Sequence, residues 1–62
     1  MRDWQLHIGD NVYQVYDPTH IGRIVRIEWS HRASVRWLDT GWITDDIEIA
    51  ELRRANRKDY AQ

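Results

Sequence analysis

The sequence predicts an all-β fold: a small barrel of about five strands, finished by a short C-terminal helical turn. Three observations carry this. Short runs alternate apolar and polar residues with the two-residue period of a strand, most strictly in Ala33-Ser34-Val35-Arg36-Trp37. Turn-forming residues punctuate the chain at Gly9-Asp10, Asp17-Pro18 and Asp39-Thr40-Gly41. The 62 residues contain no Cys but 4 Trp and 3 Tyr, so big apolar side chains or partners must stand in for disulfides or a thiolate metal site, and the rings are expected to build a small core. Many short strands in so short a chain favour closure, which removes exposed sheet edges.

The elements follow in order. Trp4, Leu6 and Ile8 alternate with Gln5 and His7, which reads as a strand ended by Gly9-Asp10. Val12 to Tyr16 is rich in β-branched and aromatic residues and reads as the next strand. Asp17-Pro18-Thr19-His20 holds the single Pro and reads as a loop. Arg23 to Trp29 is the longest strand candidate, and Ala33 to Trp37 the clearest. Trp42 opens a strand that Asp45-Asp46 interrupts and Ile47-Glu48-Ile49 resumes. Ala50 to Ala55 contains good helix formers, enough for about one turn. One domain spans 1–62, with its core at 8–55, an N-terminal arm at 1–7 and a polar tail at 56–62.

The hydrophobic pattern also predicts a register. With Ser30, His31 and Arg32 as the connection, Trp29 faces Ala33, Ile27 faces Val35 and Val25 faces Trp37, all on the inner face. Arg26 then faces Arg36, Glu28 faces Ser34 and Ile24 faces Leu38 on the outer face. Trp29 and Trp37 belong to the core in this arrangement, leaving Tyr13, Tyr16 and Trp42 as the exposed rings. Gly9 and Gly22 are expected at bends before strands, and Gly41 at a positive-φ turn position.

This order of features resembles the SH3-like barrel superfamily, and within it the small KOW, Tudor-like and related bacterial or phage-type domains. Gly9-Asp10-Asn11-Val12 is similar to the family's opening G-D-x-V, and Ile21-Gly22-Arg23-Ile24-Val25-Arg26-Ile27 to its G-x-V-x-x-I strand. Val35-Arg36-Trp37 followed by Asp39-Thr40-Gly41 is similar to its V-x-W and acidic-Gly turn, and Glu51-Leu52 to its closing helical turn. The resemblance spans residues 8 to 55. It implies a binding module, since such barrels hold RNA, DNA, peptides or methylated residues, and a few are enzymes. The V-Q-I-Y strand motif of the plasmid-borne type II dihydrofolate reductase, an enzyme on this barrel, is absent.

Charge narrows the choice of partner. Lys+Arg is 9 against 10 Asp+Glu, a net charge of −1. The sum hides a separation: Arg23, Arg26, Arg32 and Arg36 stand against Glu28 alone, followed by an acidic stretch (Asp39, Asp45, Asp46, Glu48 and Glu51) and a basic C-terminal segment. The expected function is a non-enzymatic, nucleic-acid-binding accessory protein. Arg23, Arg26, Arg32 and Arg36 would hold phosphates, while Tyr13, Tyr16 and Trp42 stack on bases. The alternative is a protein-interaction or self-association module that pairs through an apolar edge of Trp4, Leu6 and Ile8. No nucleophile motif supports catalysis, and His7, His20 and His31 are too widely spaced for a metal motif, so neither metal nor cofactor is expected. No apolar run reaches the ~20 residues of a membrane span, and Met1 to His7 does not read as a signal peptide. A cytoplasmic location with no membrane partner is expected.

Overall fold

The computed structural model describes residues 5–55. Five strands form one antiparallel sheet: β1 (Asn11–Gln14), β2 (Asp17–Glu28), β3 (Arg32–Trp37), β4 (Ile43–Glu48) and β5 (Leu52–Arg54). A 3-10 turn, Ile49–Glu51, joins β4 to β5. The sheet order is β4-β3-β2-β1-β5. The all-β, five-stranded class is as expected, but the sheet is not closed: no ladder joins β4 to β5.

β2 is the spine. Its first half pairs with β1 and its second half with β3, and the two ladders overlap at Gly22 and Arg23. Gly22 is needed there for space rather than for a bend. A β-carbon on it would collide with the Val35 side chain and come within 2.8 Å of Trp37 Cε3. Asp17 to His20 forms the irregular start of β2 rather than a loop, because the β1 ladder skips from Ile21 to Asp17. Pro18 lies in that skipped stretch, where its missing N–H breaks no ladder bond.

The β2–β3 hairpin corrects the expected register. Glu28 pairs with Arg32, so the connection is Trp29-Ser30-His31, one residue earlier than the pattern suggested. A bulge at Val25 then realigns the strands: Arg26 pairs with Ser34, Ile24 with Val35 and Arg23 with Arg36. Ile24, not Val25, points inward and is fully buried. Trp29 is not in the core but at the hairpin tip, 80% exposed.

Leu6, Val12, Ile24, Ala33, Val35, Trp37, Ile47 and Leu52 form the core, with Ile27 and Ile49 packed against it. Each fully buried aliphatic side chain contributes about 1.5–3 kcal/mol gross. Residues 5–8 form no strand, against expectation. The chain instead turns at His7–Asp10, with Gly9 at φ 97°. The Gly9 N–H donates to Ile24 O at 2.8 Å and the Ile24 N–H to Asp10 O at 3.0 Å, which straps this segment to the spine and delivers Leu6 to the core. The expected helical turn at Ala50–Ala55 is a 3-10 turn followed by β5, which pairs with β1. Six residues are too few for a helix to hold without packing, and only the extended form lets Leu52 reach the core while pairing with β1. The tail at 56–62 lies outside the described residues.

Both sheet edges resist pairing with another chain. β5 has only three residues, and β4 carries Asp45 and Asp46 at a bulge opposite Ala33–Val35. Asp46 takes φ 61° there, and Asp45 Oδ1 accepts a hydrogen bond from the buried Ser34 hydroxyl at 2.7 Å.

Candidate functional site

Directly paired residues of an antiparallel ladder share one face. Asn11, Arg23, Arg36 and Ile43 are such partners in turn across β1 to β4, so they form one row on the outer face. Tyr13, two residues beyond Asn11 on β1, stands on the same face and is half-buried. Arg23 and Arg36 therefore lie side by side, and among the described residues neither has a carboxylate partner. The Arg36 side chain reaches the β3–β4 turn, where its Nη2 would lie 3.9 Å from a β-carbon on Gly41. Gly41 holds φ 78°, and next to it Trp42 is 75% exposed. Two arginines paired across the ladder, with Trp42 following the turn that Arg36 reaches and Tyr13 on the same face, make a patch suited to an anion attached to a flat ring.

The other candidate cations are neutralised. Arg26 pairs with Glu28 at 2.6 Å. Arg32 lies 3.7 Å from Asp46 and 3.8 Å from Glu48. The expected Arg26–Arg36 pair is thus replaced by Arg23–Arg36, because the earlier start of the connection and the Val25 bulge together shift the ladder. Tyr16 is exposed on the β1–β2 turn, where its hydroxyl donates to Glu51 Oε1 at 3.2 Å and accepts from Gln14 Nε2 at 3.0 Å. Partial desolvation, then the Glu51 charge and hydrogen bond, hold its phenol above the ordinary pKa. Of the apolar edge, Leu6 is buried in the core, Ile8 is exposed in the turn, and Trp4 lies outside the described residues.

A second cluster escaped the sequence reading. The His20 ring stacks on Trp37, with centroids 4.3 Å apart and planes 16° from parallel. Its Nε2 lies 3.0 Å from Asp39 Oδ1, and its Nδ1 3.9 Å from Asp17 Oδ2. Trp37 is fixed in turn by its indole N–H, which donates to Thr44 Oγ1 at 2.8 Å. The His20 hydrogen bond pulls the Asp39 carboxyl below the ordinary range, against a smaller push from desolvation. The two carboxylates sit on opposite ring nitrogens and do not converge on one point; among the described residues no cluster could hold a metal ion. Thr19, His20, Ile21, Leu38 and Asp39 line a cleft of about 280 Å³ beside this stack. The only advance signal was His20 followed two residues later by Gly22, whose bare α-carbon lets β3 come close.

Among the described residues no helix is long and apolar enough to cross a membrane. Comparison with protein-family models, with curated proteins and with solved structures found no match.

Proposed function

We propose that this chain is an SH3-like barrel domain acting as a small, non-enzymatic nucleic-acid-binding module of the cytoplasm. The fold assignment is supported by the sheet order, by a long β2 shared between two ladders, and by the 3-10 turn before the last strand. The observation that carries the function is the Arg23–Arg36 pair. Like charges directly opposed across a ladder destabilise the free protein. A phosphate between them reverses the sign, because guanidinium groups bind phosphate oxygens with charge-assisted, often bidentate hydrogen bonds. Trp42 follows the turn that Arg36 reaches and Tyr13 shares the face of the pair, and such rings can stack on bases whatever their sequence. Two cations without a carboxylate partner among the described hairpin residues are few for a duplex-reading surface, so the patch suits a short single-stranded segment best.

Titration of the labelled protein with short single- and double-stranded oligonucleotides, followed by NMR, tests this. The expected result is chemical-shift change confined to Arg23, Arg36, Trp42 and Tyr13, larger with single strands and diminished in Arg36→Ala. Unchanged spectra with every oligonucleotide at low salt would sink the reading.

A further inference from the structure

We infer that this protein associates head to tail, with Trp29 of one copy seated in the Thr19–Ile21/Leu38–Asp39 cleft of the next. The argument begins at the hairpin tip. Trp29 and Ser30 take φ 59° and 64°, two successive left-handed positions in the turn, where Gly or Asn is the usual choice. Neither residue suits that backbone, and non-glycine residues persist there only when their surroundings hold them. The His31 N–H donates to Glu28 O at 3.3 Å, its Nδ1 lies 2.7 Å from Trp29 O, and the Ile49 N–H donates to His31 O at 2.9 Å. The tip is thus braced while its indole is 80% exposed and adds nothing to its own core. Strain combined with an exposed aromatic ring points to a contact made outside the molecule.

The surroundings of the ring say what kind of contact. Arg26 is paired with Glu28, and Arg32 with Asp46 and Glu48, so the collar around Trp29 is charge-compensated and does not attract phosphate. A rigid Trp inside a compensated polar rim has the character of a protein–protein anchor. The cleft supplies the matching half. At about 280 Å³ it falls just below the range of small-molecule pockets and suits one large side chain. Ile21 and Leu38 give it apolar walls, and the Asp39 carboxylate on its rim can accept the indole N–H. The cleft is made where β2 begins and β3 ends, whereas the tip is where β2 ends and β3 begins. The two therefore lie at opposite ends of one hairpin and cannot meet within a chain, while a second copy brings them together. Such a heterologous contact propagates into a ring or an open chain rather than stopping at a dimer.

Complementation between two variants tests this. Trp29→Gly removes the ring and relaxes the turn. Leu38→Glu blocks the cleft at a half-exposed position. Sedimentation velocity from micromolar to millimolar protein should show the parent's mass rising past that of a dimer, with each variant alone remaining monomeric. An equimolar mixture should form a dimer and no more, because only one intact tip and one intact cleft remain to meet. A parent that stays monomeric at millimolar concentration, association that survives Trp29→Gly, or a mixture that stays monomeric would each overturn the proposal. Association through an edge strand would survive both substitutions and is read by the same experiment.

Discussion

Gly22 and His20 show how much of this molecule is decided by single side chains at the β2–β3 crossing. Gly22 lets β3 approach β2, so Gly22→Ala forces a methyl group into Val35 and Trp37. Overpacking of this kind costs roughly 1–3 kcal/mol, read as a lower urea midpoint at an unchanged m-value. His20 and Asp39 carry a pH signature. Because the folded Asp39 pKa is depressed, its contribution is present above the ordinary Asp range and is lost as pH falls through the folded value. Urea midpoints measured downward from neutral pH should therefore fall less steeply in Asp39→Asn than in the parent over that acidic window. Identical slopes would remove the linkage. At this scale the sequence was partly legible. Trp37 falls in the core and Trp42 on the surface as the alternation implied, since both flank a turn marked by Asp39 and Gly41. Trp29 was misplaced because the turn begins at that residue, one position earlier than the alternation suggests, so the strand ends at Glu28.

At the scale of elements, the β2–β3 connection has the expected three residues but begins one position early. Strict alternation pairs Val25, Ile27 and Trp29 with Trp37, Val35 and Ala33 without a flaw. No periodicity argument reveals that Ile24 and Ile27 both point inward, because only a bulge allows it. The C-terminal segment failed for a related reason. Helix propensity in Ala50 to Ala55 is a weak local preference, and the β1 edge offers Leu52 both ladder bonds and burial. The hairpin turn is where an element-scale change pays most clearly in stability. Ser30→Gly places a residue without a β-carbon at φ 64°. Relief of left-handed strain should stabilise the fold by about 1 kcal/mol, visible as a higher denaturation midpoint. A midpoint that falls would mean the turn is not held in this form.

At the scale of the whole molecule, a net charge of −1 gives no long-range attraction for a polyanion, and of the four hairpin arginines Arg23 and Arg36 are the two without a carboxylate partner among the described residues. The sequence showed that charge was segregated. It did not show which arginines were free, because that depends on carboxylates brought alongside by the ladder: Glu28 to Arg26, and Asp46 and Glu48 to Arg32. The consequence is quantitative. If two phosphates are held, the logarithm of the binding constant for a single strand should fall with the logarithm of salt with a slope of about −1.4. Arg36→Gln should reduce that slope to about −0.7, since one phosphate contact is lost. The same substitution removes a like-charge neighbour from Arg23, so the free protein should become more stable by a few tenths of a kcal/mol. Binding and stability thus move in opposite directions at one residue. The two effects are read together by measuring the unfolding midpoint with and without a short oligonucleotide, because a ligand bound only to the folded state raises the midpoint in proportion to its occupancy. The parent should begin lower and gain more; Arg36→Gln should begin higher and gain little. A substitution that lowered the free protein's midpoint would show that Arg36 is held by a favourable contact, and the patch would then lose its claim to an anion.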